Sequence, residues 1–275
     1  MKKHTNLMSL AVGRRSLAKN YSGQQLTTND QRPPQSGFSL LEMVIVCALL
    51  TVIMGAIFGQ IRQGQLNSVA EQVKLDLFQE SREFMDQLSR DLRASGYPNT
   101  RNYSADPYNP AQNSSQEALG LVKIDAGELW FESSTDGSGK VSVIVYQFVS
   151  TGTNCPCLVR SQVDKVQADP LNGQTNPTNQ TEVQNVLNGT TNDPIFQAYY
   201  SDGTAVALPM DLTADCTGGQ CLANVNTIAI TLKVQSPYPD PTTGQKPTMT
   251  LLSTVRLNNC SVAYPNTSGT VMGCK

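Results

Sequence analysis

Residues 37–58 read GFSLLEMVIVCALLTVIMGAIF, and this stretch decides the fold. From Phe38 to Phe58 it is apolar except for two hydroxyl residues and one carboxylate, Glu42. About 20 apolar residues, each adding about 1.5 Å of helix rise, cross the ~30 Å hydrocarbon layer of a lipid bilayer. The stretch therefore predicts a membrane-spanning helix over residues 38–58.

Residues 1–37, which precede the span, form a basic and polar segment. They carry six lysine and arginine residues against one aspartate, a net charge of +5, so the other 238 residues of the 275-residue chain carry −7. Adjacent prolines, Pro33 and Pro34, and many Ser, Gln, Asn and Thr residues make packed structure unexpected there. Because positive charge stays on the cytoplasmic side, we expect a cytoplasmic leader before the span and an extracytoplasmic chain after it.

An ordinary secretory signal peptide is the alternative interpretation of a basic start and an apolar run. The run is longer than the ~7–15 residues of a signal core, and no clean Ala-x-Ala site ends it. The helical pattern also continues well beyond the run. These features favour a span that stays in the protein.

Glu42 is the one charged residue in the predicted span. A carboxylate inside a bilayer costs about 2.5–3.5 kcal/mol on insertion scales, so it points to a function and to a partner charge. No lysine or arginine follows it within two helical turns. The alternative is that Glu42 reaches back to the lipid headgroups or is protonated.

Residues 37–42 (GFSLLE), with their basic leader and apolar helix, resemble the processing signal of type IV prepilins and related pseudopilins. The resemblance implies that a prepilin peptidase cuts between Gly37 and Phe38 on the cytoplasmic side and methylates the new amine of Phe38. It also implies that Glu42, the fifth residue after the cut, pairs with the N-terminal amine of a neighbouring subunit. Either charge left alone in lipid would be costly, so the pair would set the register of assembly.

The helical pattern continues beyond the span as an amphipathic segment over residues 59–96. Apolar residues recur at spacings of three, four and seven, at Leu66, Val69, Val73, Leu77, Phe84, Leu88 and Leu92. Gly96 is a candidate glycine just past the helix end, and Pro98 forbids continuation. One helix is therefore expected from residue 38 to about residue 95.

Gly55 and Gly59 form a Gly-x-x-x-Gly pair at the outer end of the span. Such a pair is typical of close helix packing, and it also permits local unwinding when subunits stack. The alternative is that membrane helices simply tolerate glycine. Cys47, inside the span, is interpreted as a small hydrophobic residue.

After residue 96 the sequence changes to short alternating segments separated by turn residues, which is typical of β-structure. Predicted strands are Glu128–Ser133, Ser142–Ser150, Leu158–Val163, Ile195–Ser201, Thr227–Gln235 and Thr248–Leu257. Residues 97–118 are predicted to be a loop, and the polar segment 164–194 a surface excursion. The expected fold is therefore α+β and pilin-like, with residues 97–275 as a β-rich domain whose antiparallel sheet packs on the outer half of the helix.

Six of the seven cysteines fall in the predicted extracytoplasmic part, where disulfides are favoured. We favour Cys216–Cys221 and Cys260–Cys274 among the possible pairings. The second disulfide would close a loop of about 15 residues, which would stabilise the fold by about 3 kcal/mol in the chain-entropy model. The resemblance to pilins also favours it, since pilins often close a C-terminal loop in this way. Cys155 and Cys157 either bridge each other or have separate partners.

Composition argues against most catalytic and metal chemistry. The one histidine, His4, lies in the leader. Residues 38–275 therefore contain no histidine for histidine-based catalysis or for a histidine-ligated zinc site. The overall charge of −2 does not favour a nucleic-acid binder. Residues 136–140 resemble a phosphate loop only superficially, and Asp202, Asp211 and Asp215 lack EF-hand spacing. We expect neither an enzyme nor a bound cofactor or metal.

Residues 88–97 (LSRDLRASGY) are similar to the end of the N-terminal helix in PilW-type minor pilins, and the order of the later strands also resembles that group. The resemblance implies a low-abundance minor pilin-like subunit that initiates, primes or caps a type IV pilus. A J-type minor pseudopilin of type II secretion and a tip adhesin or DNA-uptake module are the alternatives. Implied partners are prepilin peptidase, other pilin subunits, the inner-membrane assembly platform and membrane lipid. The implied location is the bacterial inner membrane, with the C-terminal domain periplasmic, and then the tip of a pilus or pseudopilus.

Overall fold

The computed structural model describes residues 37–98, 115–134, 140–153, 155–166, 170–214 and 219–259, and the backbone of 261–266 and 269–273. The chain divides into two compact units, Met1–Ala56 and Ile57–Lys275. A long helix, α1 (Leu40–Ala94), has residues in both units. All the described strands belong to the second unit.

The strands pair into sheets that are antiparallel throughout the described part. They are β1 (Leu121–Asp125), β2 (Glu128–Ser133), β3 (Ser142–Val149), β4 (Cys157–Asp164), β5 (Gln180–Gln184), β6 (Phe196–Tyr200), β7 (Met210–Asp211), β8 (Val225–Gln235), β9 (Thr248–Arg256), β10 (Ser261–Asn266) and β11 (Gly269–Gly273). Short 3-10 turns lie at Pro170–Asn172 and Leu222–Asn224. One sheet has the order β5-β4-β3-β2-β1-β7, a second has the order β6-β8-β9, and β10 pairs with β11. The predicted α+β fold, with one long helix and antiparallel sheets, is confirmed.

Within the second unit, one side of α1 packs against the strands. Its buried residues are Ala70, Leu77, Ser81, Phe84, Met85, Leu88 and Leu92. The apolar ones from Leu77 onward share one core cluster with strand side chains, and the Phe84 ring meets the Tyr146 ring edge-on at 5.9 Å between centroids. Val69, predicted on this side, is instead 50% exposed, because Ala70 takes the buried position one residue later.

The helix ends where its glycine and proline predict. Gly96 has a φ of +78°, the left-handed conformation that a glycine adopts without steric cost. The amide of Gly96 donates to the carbonyl of Glu132 on β2 at 2.9 Å. The side chain of Asn259 donates to the carbonyl of Ser95 at 2.9 Å. The Ser133 hydroxyl donates to the carbonyl of Ala94 at 2.7 Å, so β2 and a distant loop satisfy polar backbone groups at and just beyond the helix end.

Several strands were not predicted from the sequence. All six predicted strands are present, with ends shifted by up to two residues. β5 lies inside the segment predicted to be a surface excursion, and β1, β7, β10 and β11 were not expected. β5 reads QTEVQ and exposes three of its five residues, so it lacks the apolar alternation that identifies a strand.

A polar cluster also ties the helix to the sheet. Asp91 on α1 accepts hydrogen bonds from the Tyr146 hydroxyl at 2.8 Å and from Arg160, whose Nη2 lies 3.0 Å from the carboxylate. Burial and the Asp91 charge both raise the pKa of Tyr146, so its hydroxyl remains a donor. The side chains of Asp91 and Arg160 are each only 13% exposed, which makes this a largely desolvated ion pair.

We expect Leu88→Ala to lower the free energy of unfolding by about 2–5 kcal/mol, because Leu88 is fully buried under the sheets. Leu75→Ala is the matched control on the same helix. Leu75 is 57% exposed, so we expect its change to stay within about 0.5 kcal/mol. Urea unfolding of the detergent-purified chain, followed by fluorescence of the single tryptophan, Trp130, measures both values. Equal losses for the two variants would contradict this packing.

Candidate functional site

The six residues of the predicted processing signal, residues 37–42, lie just before and at the start of α1. Gly37, Phe38 and Ser39 precede the helix in irregular backbone, and the helix begins at Leu40. The carbonyl of Ser39 accepts hydrogen bonds from the amides of Glu42 at 3.0 Å and Met43 at 3.2 Å, so Ser39 opens the helix. The Gly37–Phe38 bond is therefore non-helical, and Phe38 is 80% exposed. Backbone of this kind is open to a peptidase cleft.

Glu42 lies in the first turn of α1 and is exposed. A carboxylate there is favourably placed relative to the helix dipole, which is positive at this end. Within the described residues, no lysine or arginine forms an ion pair with it. Its position leaves the carboxylate available to a positive group from another molecule.

The part of α1 that follows Glu42 presents apolar side chains on every side. Every residue from Gly37 to Gln65 is exposed. In the part of the chain that the structure describes, α1 is the one helix long and apolar enough to cross a membrane. Apolar residues exposed all around a helix are typical of a lipid-facing segment.

The comparison with family models identifies this end of the chain. A model described as the prokaryotic N-terminal methylation motif matches residues 32–58. The match supports a type IV pilin-like protein. This pilin-type motif implies processing by a prepilin peptidase and interaction with other pilins, and it favours a structural subunit over an enzyme. Together with the exposed apolar helix it fits a membrane-anchored pilin. No curated protein and no solved structure matches the chain.

Gly55 lies within the matched residues 32–58 and Gly59 directly after them, both on the exposed helix. A methyl group built on either residue would meet no atom within 4 Å. The fold of this single chain therefore does not require glycine at these positions, and a packing role would need a second molecule. Cys47 is a free, exposed thiol whose carbonyl accepts a hydrogen bond from the Thr51 hydroxyl at 2.8 Å.

The cysteines of the β-rich part are only partly within the described residues. Cys155 and Cys157 form a disulfide with each other, which selects one of the two alternatives left by the sequence. Cys221 is also disulfide-bonded. Cys47 is free and Cys155 and Cys157 pair together, so none of these three is the partner of Cys221. The other cysteines are Cys216, Cys260 and Cys274. These three lie outside the described residues, so the pairings Cys216–Cys221 and Cys260–Cys274 stay predictions.

Two of the aspartates considered for a metal, Asp202 and Asp211, accept backbone amides in turns. The Asp202 carboxylate accepts the amide of Thr204 at 2.9 Å, a bond that lowers the pKa of this exposed carboxyl. Asp211 accepts the amide of Thr213 at 2.8 Å in the same way. Asp215 and residues 136–139 lie outside the described residues. Among those described, no group of three His, Cys, Asp or Glu residues could hold a metal ion.

Sequence reasoning did not identify one buried cluster. Lys165, directly after β4, lies 2.7 Å from the carboxylate of Glu132 on β2, and both side chains are almost completely buried. A lysine in the polar segment 164–194 had been expected at the surface. The signal that could have found it is weak: a charged residue, Glu132, directly after the apolar run of residues 129–131.

Proposed function

We propose that this protein is a minor pilin-like structural subunit that is incorporated at low abundance to initiate, prime or cap a type IV pilus. One observation carries the proposal: residues 37–42 (GFSLLE) lie within the pilin-type motif and open directly into an exposed apolar helix. Prepilin peptidase would cut between Gly37 and Phe38 and methylate the amine of Phe38. The irregular, exposed backbone at this bond supports the cut.

Glu42 would then select and position the subunit. Removal of residues 1–37 creates a positive amine on Phe38, and the Glu42 carboxylate of one subunit would pair with the Phe38 amine of its neighbour. In hydrocarbon, each charge is costly without the other, so helices in the correct register are favoured over other registers. The absence of any other cation beside Glu42 in the described chain supports an intermolecular partner.

The proposed topology follows from the same features. Residues 1–37 would be a cytoplasmic leader, 38–58 the span, 59–96 the amphipathic part of the helix and 97–275 a periplasmic β-rich domain. The disulfide between Cys155 and Cys157 supports an oxidising compartment for that domain. The assembly platform of the inner membrane, other pilins and membrane lipid are the partners that this topology provides.

Contacts within the second unit support the PilW-type assignment in particular. Two stretches carry the resemblance to PilW-type minor pilins: residues 88–97 and residues 158–160. Asp91 lies in the first stretch, and Arg160 is the last residue of the second. Their side chains form an ion pair at 3.0 Å, on which the Tyr146 hydroxyl also converges. The two stretches therefore act together as one link between helix and sheet.

We expect the protein, detected by an epitope tag, to be present in mechanically sheared and washed pili, at an abundance far below that of the major pilin. The helix of a type IV pilus subunit packs inside the filament, so shearing should release the subunit from the cell together with the filament. The matched control is the Glu42→Ala variant, which should be missing from the sheared fraction. Recovery of the protein with a type II secretion complex, and not with pili, would contradict the proposal in favour of the pseudopilin alternative. Presence in neither fraction would contradict both.

A further inference from the structure

The buried pair of Glu132 and Lys165 has the arrangement of two groups that can condense. We propose that the Lys165 amine and the Glu132 carboxyl form an intramolecular isopeptide bond, which covalently joins β2 to the segment after β4. Lys165 Nζ lies 2.7 Å from Glu132 Oε2. The side chains of Lys165 and Glu132 are 2% and 0% exposed. The cross-link depends only on these contacts, not on the proposed role in a pilus.

The sheet holds the two side chains in a fixed relation. Glu132 is paired with Val143 of β3, and Val143 is paired with Val163 of β4. Lys165 comes two residues after Val163, and alternation along a strand places it on the same face as Glu132. The amide of Lys165 is also fixed, since it donates to the carbonyl of Val141 at 2.8 Å. Such positioning supplies the high effective concentration that an amine–carboxyl condensation needs.

The hydrogen bonds around Glu132 distinguish its two oxygens. Oε2 accepts from the amide of Leu119 at 2.9 Å and from Lys165 Nζ. Oε1 is buried and has no hydrogen-bond partner among the described residues. Oε2 is therefore the oxygen that remains in the product, where the Leu119 amide would stabilise the negative charge of the tetrahedral intermediate. Oε1, the unpartnered oxygen, is the one that leaves.

The backbone of Glu117 also holds the Lys165 amine. Its backbone carbonyl accepts from Lys165 Nζ at 2.7 Å, and its side-chain Oε2 is buried and unpartnered among the described residues. Burial raises the pKa of Glu117, an effect that the Lys165 charge partly offsets. The bond to this backbone carbonyl orients the Lys165 amine beside the Glu132 carboxylate.

The proposed step conserves atoms and charge. The Lys165 ammonium first gives a proton to the Glu132 carboxylate that it contacts, and the lone pair of Nζ then attacks Cδ of Glu132, forming the N–C bond. The C–Oε1 bond breaks, and Oε1 leaves as water with two of the ammonium protons, so an uncharged amide replaces one ammonium and one carboxylate. No oxidant or reductant is required. Glu132 and Lys165 also line a cavity of about 230 Å³, which can accept the released water.

Burial is what makes the condensation favourable. In water the separate ions are well hydrated, and hydrolysis of the amide is preferred. In this pair both ions have lost their hydration, and one carboxylate oxygen has no partner to replace it. An amide removes both charges and the unpartnered oxygen together, while the bond from Leu119 is kept.

Intact mass spectrometry of the folded full chain tests the bond. The chain is expressed without prepilin peptidase, purified in detergent, aged, denatured and reduced. We expect a mass about 18 Da below that of the sequence, the loss of one water. Digestion should release one branched peptide that joins Lys165 to Glu132. A full sequence mass, or a cross-link mapped to other residues, would overturn the proposal.

Variants provide the matched controls. Lys165→Arg keeps the charge but should restore the full mass, and a loss of water that persists in this variant would overturn the assignment. Lys233→Arg alters another pair with a short contact, Lys233 and Asp193 at 2.8 Å, whose side chains are 38% and 43% exposed. Its mass loss should equal that of the unaltered chain. If Lys165→Arg does not fold, the branched peptide of the unaltered chain decides alone.

Discussion

A Glu42→Ala variant should enter the membrane as well as the unaltered chain but be almost absent from assembled filaments. Insertion should be unimpaired because removal of a carboxylate from a span makes partition into lipid more favourable. Incorporation should fail because the Phe38 amine of the neighbouring subunit would be buried without its partner. Breaking a buried charge pair costs about 3–5 kcal/mol, and about 1.4 kcal/mol already corresponds to a factor of ten. We therefore expect incorporation to fall by about a hundredfold or more.

The controls for this prediction separate charge from shape. Glu42→Gln keeps nearly the same shape without the charge, so it should fail like the alanine variant. Glu71→Ala removes another exposed glutamate from the same helix, one that contacts Lys74 at 3.4 Å, and should leave incorporation unchanged. Immunoblots of membrane and sheared-filament fractions give both quantities. Normal incorporation of Glu42→Ala would count against the charge-pair account.

A Gly37→Val variant should accumulate as the uncut chain. A methyl group built on Gly37 meets no atom within 4 Å, so the fold of this chain tolerates a side chain there. Any effect must therefore arise in the peptidase, where a branched side chain beside the scissile bond would displace that bond from the catalytic groups. A displacement of about 1 Å can slow a reaction by about a hundredfold.

Gly64→Val is the matched control for this variant. Gly64 is also exposed, and a methyl group built on it also meets no atom within 4 Å, but it lies well beyond the pilin-type motif. We expect its processing to be normal. Both variants are compared by the ratio of uncut to cut chain after a fixed time with active peptidase. Equal ratios would show that Gly37 is not read by the peptidase.

Features that depend on neighbouring residues were predictable from sequence. The long apolar helix, its end at Gly96 and strand β8 each follow from a local pattern of hydrophobicity or turn chemistry. β8 alternates Ile228, Ile230, Leu232 and Val234 on its buried face, and the structure buries all four. The pilin-type motif is likewise continuous in sequence, which explains why it could be recognised without a structure.

Features that depend on distant residues were not predictable. Lys165 and Glu132 are 33 residues apart, and Arg160 and Asp91 are 69 apart. Only the pairing of β2, β3 and β4, together with the docking of α1, brings these charges into contact. Burial of Lys165 also runs against its polar surroundings in the sequence, because a single carboxylate on another strand compensates its charge. Polar edge strands such as β5 are hard to predict from sequence for a related reason. Their backbone hydrogen bonds, and not their side chains, place them in the sheet.

The mass of the N-terminal peptide tests the central claim most directly. The chain is expressed in a cell with an active prepilin peptidase and in a matched cell that lacks it. With the peptidase, we predict a terminus that begins at Phe38 and carries one methyl group, about 14 Da heavier than the unmodified peptide. Without the peptidase, residues 1–37 should remain attached. Recovery of residues 1–37 on the chain despite active peptidase would contradict the account.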